Sequence, residues 1–274
     1  MAAESVSFPR PPSVFRSALV TMGPALVADA VAVASTVAMA RRLLTCDRGG
    51  RRRPGPEVLA ALAPWLYLIL ARSWVLHWGA SGDEVARALP GDELVPEPAW
   101  VSTRAIRIGA PVEAVWPWLA QMGQDRGGLY SYTWLENLAG LEFHNADRIH
   151  PEWQAVAIGD IVRFAPGQDT LVVAGVEPGR LLLWQILDPR TRQPASATWA
   201  FVLEPEGATR TRLIQRFRIG GRPRWLVGLA YMLVMEVPHF VMERAMLRGI
   251  RARAEQGWRA GGLRDMEAHS LTRP

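Results

Sequence analysis

The hydrophobic pattern divides the chain into an apolar front, a middle of short alternating segments and a long helical periodicity at the end. The front holds two apolar runs, Leu19–Ala40 and Val58–Trp78. The first has 22 residues, enough at about 1.5 Å per residue to cross a ~30 Å hydrocarbon layer. Asp29 lies near its middle. An Asp there costs about 3 kcal/mol, whereas each Leu, Val or Ile returns about 0.3–0.6. That span is therefore marginal unless a neighbour shields the carboxylate. Val58–Trp78 is richer in Leu, Ile, Trp and Tyr; its Arg72 can snorkel, and Trp74 and Trp78 suit an interface belt. The pair predicts a membrane hairpin; the rival reading is two soluble helices packed on the domain that follows.

Arg41, Arg42, Arg48, Arg51, Arg52 and Arg53 lie between the runs, against Asp47 alone. The positive-inside rule keeps this connection cytoplasmic and, for a hairpin, places the large domain outside the cytoplasm. Residues 79–99 read as an acidic, Pro-rich linker carrying Asp83, Glu84, Asp92, Glu93 and Glu97. Residues 1–17, with Pro9, Pro11 and Pro12, read as a flexible lead, and 257–274 as a flexible tail. Ala38-Met39-Ala40 fits a cleavage pattern, but Asp29 interrupts the apolar region a signal peptide needs.

The middle opens with Val101–Met122: a short strand, a two-residue break, and a helix opened by Pro111. Val112, Val115, Trp116, Leu119 and Met122 fall on one helical face. Pro117 inside this helix costs about 3 kcal/mol in an unbent helix, which predicts a bend there. A Gly127-Gly128 turn and a second helix near Tyr132–Leu138 follow. Five β-rich runs come next: Asp160–Ala165, Thr170–Val176, Arg180–Ile186, Ala197–Leu203 and Thr211–Ile219. Short turns separate them, which favours an antiparallel sheet. In the last run Arg212, Arg216 and Arg218 point one way; Leu213, Phe217 and Ile219, with Gln215, point the other. Trp199, Phe201 and Leu203 likewise share a face, so the sheet is expected to have one wet and one apolar side.

The final periodicity runs from Pro223 to about Gln256 and is interrupted at Pro238. Its apolar stripe passes Leu229, Met232, Glu236, Phe240, Glu243, Leu247 and Ile250 in steps of three and four. Glu236 and Glu243 thus fall in the stripe that should face the sheet, with His239 at its margin.

Composition narrows the function classes. Hydrophobic residues are 49% and charged residues 21% of 274, which supports a packed core. There is no Lys; the 31 basic residues are all Arg, scattered apart from one cluster, and the net charge is +5. No basic face with interleaved aromatics points to nucleic acid. Cys46 is the only cysteine, so no disulfide or thiolate metal site forms within one chain. In the segment Glu142–Glu152, Glu142, His144, Asp147, His150 and Glu152 lie close together, but no helical metal-binding spacing appears. Hydrogen bonds pinning this loop are the expectation, and no metal or cofactor is implied.

Strand, helix pair, sheet and long final helix follow the order of the helix-grip fold. The segments APVEAVWPWLAQMG (110–123), GGLYSYTWLENLAGL (127–141), NADRIHPEW (145–153), VAIGDIV (156–162) and PHFVMERAMLRGI (238–250) resemble the SRPBCC superfamily. That superfamily includes START domains and polyketide cyclase/dehydrase relatives; the closer resemblance is to bacterial members with hydrophobic N-terminal segments. The likeness spans about residues 100–256. It implies an α+β helix-grip domain whose sheet and long helix enclose an apolar cavity. Candidate lining residues are Tyr130, Tyr132, Trp134, Trp184, Trp199, Gln215, Glu236 and Glu243, and the weak catalytic candidates are Glu236, His239 and Glu243. The leading expectation is membrane-tethered binding of a hydrophobic small molecule or lipid. An enzyme of the cyclase/dehydratase type, using Glu or His as acid or base on a polyketide-like substrate, is the alternative. A protein-interaction module with a collapsed cavity is the third reading.

Overall fold

A computed structural model describes residues 66–271 except 139, 167, 189 and 190. The first apolar run, the arginine cluster, Cys46 and the opening of the second run lie outside the described residues. The described end of the second run forms a π-helical turn, Tyr67–Ala71, and a helix α1, Arg72–His77. Val75 and Leu76 of α1 are buried against the domain, while Leu66, Leu70 and Trp74 face outward. Among the described residues no single helix is long and apolar enough to cross a membrane.

The sheet has six antiparallel strands: β1 (Trp100–Ile108), β2 (Ile161–Ala165), β3 (Gln168–Glu177), β4 (Leu181–Leu187), β5 (Pro194–Pro205) and β6 (Thr211–Ile219). Their order is β1-β6-β5-β4-β3-β2. Each strand from β2 to β5 pairs with its successor, and β1 closes onto β6. Register shifts interrupt the β2–β3, β3–β4 and β4–β5 pairings. Such irregularities bend a strand and let the sheet curve.

Between β1 and β2 the chain forms α3 (Val112–Ala120) and α4 (Thr133–Leu138), after a short α2 (Gly82–Ala86) ahead of the sheet. Pro111 stands at the N-cap of α3, where its fixed φ suits the helix start. Pro117 is carried within the span of α3, and Val115 and Leu119 of the predicted face are fully buried. After β6 come α5 (Arg224–Val234) and α6 (Glu236–Leu271), bent by 64° to one another. The break falls at Met235, not at Pro238. Pro238 occupies the first turn of α6, where its missing N–H would have no helical partner anyway. α6 also extends to Leu271, through most of what the sequence suggested as a tail.

The concave face of the sheet meets α6 and α3. Trp199, Phe201, Leu203, Leu213 and Phe217 interlock with Val115, Leu119, Leu247 and Ile250 in one core. Full burial of each aliphatic side chain contributes roughly 1.5–3 kcal/mol. Gly249 lets α6 come close to the Tyr130 turn: a Cβ at 249 would collide with the Tyr130 carbonyl. The stripe through Glu236, Phe240, Glu243, Leu247 and Ile250 is buried as predicted; Leu229, on α5, is not.

The outer face departs from the expected wet side. Residues 79–99 do not run free as a linker; they cover the sheet. Leu89 joins Ala105, Leu181, Leu183, Ala200, Val202 and Ile214 in a second apolar cluster. The outward arginines meet the segment's acids: Arg212 pairs with Glu84 at 2.7 Å, Arg216 with Asp92 at 2.6 Å and Arg218 with Asp92 at 2.9 Å. The acidic composition of the segment is complementary to the arginine stripe on β6. Ser81 caps α2 in a reciprocal capping box with Glu84, which holds that carboxylate in place.

Candidate functional site

Under the first half of α6 lies a buried polar cluster built from β1, β6, α1, α5, α6 itself and the π-helical turn. The register pairs Arg104 of β1 with Gln215 of β6. Glu243 lies above both, paired with the Arg104 guanidinium and accepting a hydrogen bond from the Gln215 amide. Arg104 also donates to the Val75 carbonyl of α1 and to Ser102 Oγ, each at 3.0 Å. Two turns back on α6, the Glu236 carboxylate is completely buried. It accepts from Trp100 Nε1 at 2.5 Å and Tyr67 OH at 2.6 Å, and pairs with Arg72 at 2.9 Å. Two carboxylates thus face two guanidiniums, and the polar contacts of Glu236 and Arg104 fasten the end of the second apolar run to the domain.

His239 lies between these pairs. Its Nε2 is 2.9 Å from Glu243 Oε1, and its Nδ1 is 2.7 Å from Tyr231 OH. Burial first, and the Arg104 charge second, hold its pKa well below the usual imidazole value, so the ring is neutral near pH 7. A neutral ring beside an ionised carboxylate carries its proton on Nε2 and accepts at Nδ1. The chain therefore runs Tyr231 O–H to His239 to Glu243. Burial also raises the pKa of the Tyr231 hydroxyl and lowers that of Arg104 to about 10.

From this cluster a ribbon of aromatic rings crosses the concave face. His239 packs edge-on to Phe217 at 4.5 Å and to Trp199 at 5.8 Å. Trp184, Trp199 and Phe217 are register partners on β4, β5 and β6, with adjacent centroids 5.7 and 5.6 Å apart. Phe164 closes over both tryptophans. Both indoles are at least 95% buried, and neither Nε1–H has a hydrogen-bond acceptor among the described residues. Among the described residues one terminal nitrogen of Arg104 likewise has no acceptor, and Gln215 Oε1 has no donor.

The structure thus brings together Trp184, Trp199, Gln215, Glu236, His239 and Glu243. Tyr130 is buried but lies apart, its hydroxyl on the Trp118 carbonyl at 3.0 Å and its ring under Arg253. Tyr132 and Trp134 do not join the interior: they are exposed, Trp134 by 67%. The reason lies in the Tyr130 turn, whose positive φ of 58° turns the chain out to the surface. Arg104, Arg72, Tyr67, Trp100 and Tyr231 were missed from the sequence. The signal for Arg104 was alternation: Trp100, Ser102, Arg104, Ile106 and Ile108 form one face of β1, so the arginine sits in an inward-facing row. Glu136 of α4 was missed too; it is buried with Ser131 as its partner, and burial raises its pKa.

The loop at 142–152 is pinned by hydrogen bonds. Gln121 holds the Arg148 carbonyl and the His150 amide, both at 3.0 Å, and Asn145 bridges Tyr130 and Ser131. His144 and Asp147 point outward, and His150 stacks on Trp153. No group of three or more possible metal ligands converges among the described residues. Two surface clefts, of about 490 and 360 Å³, lie outside the grip: one along residues 252–260 of α6, the other beside Trp78 and β1.

No family model and no curated relative matches the sequence. Solved structures do match. A protein from Mesorhizobium loti is 18% identical, covers 55% of this chain and 96% of its own, and gives a TM-score of 0.31. A polyketide-cyclase-like protein from Corynebacterium glutamicum is 15% identical over 64% of this chain and 97% of that one, with a TM-score of 0.30. Norcoclaurine synthase from Thalictrum flavum, in complex with dopamine and hydroxybenzaldehyde, is 15% identical over 59% and 92%, also at 0.30. These likenesses say nothing of this chain's activity or ligand.

Proposed function

We propose that this protein binds a hydrophobic small molecule or lipid inside the grip, held at a membrane by its N-terminal apolar runs. The observation that carries the reading is the pair of buried indole N–H groups of Trp184 and Trp199. Leaving a buried donor unpaired costs about 1–3 kcal/mol, so such groups are normally satisfied. Two of them side by side in an aromatic wall suit an apolar ligand bearing a hydrogen-bond acceptor such as a carbonyl. The interior is closed over by side chains, so entry requires Phe164 and its neighbours to move. Native mass spectrometry of the detergent-purified full chain tests this. The expected result is a co-purified hydrophobic molecule, retained at least tenfold less by the Trp184→Phe/Trp199→Phe double variant, which keeps one aromatic ring at each position and loses the donors. Equal retention by the variant would sink the assignment.

A second reading, an acid–base enzyme, is favoured by the Tyr231–His239–Glu243 chain. A carboxylate that orients a neutral histidine, which in turn accepts from a hydroxyl, has the parts needed to move a proton at Tyr231. Turnover abolished by Tyr231→Phe, with the co-purified ligand still bound, would favour the enzyme over the carrier.

A further inference from the structure

Outside the grip lies an apolar surface that is exposed among the described residues. Trp225, Leu229 and Leu233 recur every four residues on α5. Val237 and Val241 continue the step on the first turns of α6. All five are exposed, Trp225 by 70%, and α5 has no fully buried residue. Leu66, Leu70 and Trp74 form a second exposed row at the same spacing on the helical turns that open the described chain. The two rows adjoin where Trp74 packs edge-on against Phe240, centroids 5.0 Å apart. Exposed apolar surface of this extent marks an interaction site.

Two observations identify the occupant. First, the chain enters this surface at Leu66 directly from the apolar residues of the run beginning at Val58, so the face continues a segment already suited to hydrocarbon. Second, the charge around it is positive. Arg222 and Arg224 stand at the start of the α5 stripe, Arg224 with the exposed Glu97 carboxylate 3.6 Å away. Arg244 and Arg248 lie beyond Val241, their guanidiniums 5.3 and 5.6 Å from the Trp78 ring centroid. Helices with an apolar face and flanking arginines lie in the plane of an anionic bilayer surface, with tryptophan at headgroup level.

We infer that the outward face of α5 and the start of α6 docks on a bilayer containing anionic lipid. This would place the helix pair that carries Tyr231, Glu236 and His239 at the membrane surface. The inference rests on the membrane placement proposed above and adds a second, interfacial contact made by the domain itself.

A depth measurement on the full chain tests it. In a Cys46→Ser background, Leu229→Cys carries a bimane label; Ile158→Cys, exposed near the opposite sheet edge, serves as the aqueous reference. The protein is placed in phosphatidylcholine vesicles with or without phosphatidylglycerol. With the anionic lipid, the 229 label is expected to be quenched by lipid-borne nitroxide and at least fivefold less by aqueous iodide than the 158 label. Arg222→Gln/Arg224→Gln should weaken that protection. Iodide quenching at 229 equal to that at 158 overturns the inference. So does equal protection on neutral vesicles, and so does protection without nitroxide quenching, which would mean cover by a second copy or by residues 19–40. Native mass spectrometry of the same samples reads ligand retention separately, so loss of docking and loss of grip binding are distinguishable.

Discussion

On the outer face of the sheet, Arg216 places its guanidinium on Thr103 Oγ1, Asp92 and the carbonyls of Glu84, Val85 and Arg87. On the inner face, Arg104 reaches Ser102, Val75 and Glu243, and one terminal nitrogen finds no acceptor. Both arginines are buried on neighbouring strands and both face a carboxylate. They differ in what completes them. A covering segment rich in acids and free carbonyls wraps the outer guanidinium, so that face is a finished piece of structure. The inner face, with Arg104 and the two indoles, keeps polar groups that no described residue satisfies. A buried arginine is thus no sign of function by itself; the proposed binding reading rests on the unmet donors instead.

The largest effect should come from removing one charge on the inner side. Glu243→Gln leaves the Arg104 guanidinium buried without its counter-ion and should lower unfolding stability by about 3–5 kcal/mol in urea titrations. Replacing both, Arg104→Met with Glu243→Leu, should recover most of that loss, because an apolar pair of similar volume avoids the desolvation penalty. Asp92→Asn on the outer side should cost less, about 1–2 kcal/mol, since Arg216 keeps Thr103 and three carbonyls and the site is partly wet. Equal losses for Glu243→Gln and Asp92→Asn would break the comparison.

His239 gives a smaller, pH-dependent difference between the two sides. It faces Tyr231, Glu243, the Arg104 charge and the rings of Trp100, Trp199 and Phe217. Its pKa is depressed in the folded state, whereas the unfolded chain takes up the proton near pH 6.5. The folded state therefore loses stability as pH falls below about 6.5, by up to about 1.4 kcal/mol per pH unit for this one group, until the folded pKa is reached. His239→Gln should flatten that slope between pH 6.5 and 5. An unchanged slope would mean that the imidazole is not held neutral.

Much of the architecture was legible because burial imposes periodicity. The alternation in Thr211–Ile219 and the three-and-four stepping from Glu236 to Ile250 survive in the structure nearly residue for residue. Glu236 and Glu243 could be picked out because they interrupt an apolar stripe. Their partners were less visible. Arg104 and Trp100 show only as members of an inward row on β1, and Tyr67 and Arg72 sit in a run whose hydrophobicity suggested lipid as its environment. Residues 79–99 were misread for another reason. Their acids and prolines look like linker chemistry until the facing Arg212, Arg216 and Arg218 are known, and that pairing is set by the sheet rather than by local sequence.

The smallest effect sharpens the same contrast at Tyr132 and Trp134. As aromatics after a Gly-rich turn, they share the residue type of Trp184 and Trp199, yet the left-handed Tyr130 turn leaves them at the surface. Surface substitutions away from caps and buried polar groups usually change stability by less than about 0.5 kcal/mol. Tyr132→Ser and Trp134→Ser should stay within that range and leave retention of the co-purified ligand unchanged. The pair Trp184→Phe and Trp199→Phe should do the reverse, shedding ligand, at a stability cost of about 1 kcal/mol each from the core volume lost with the pyrrole ring. If Trp134→Ser instead lowered ligand retention tenfold, the binding surface would lie at the Gly-rich turn, and the unmet indoles would have to be assigned to packing.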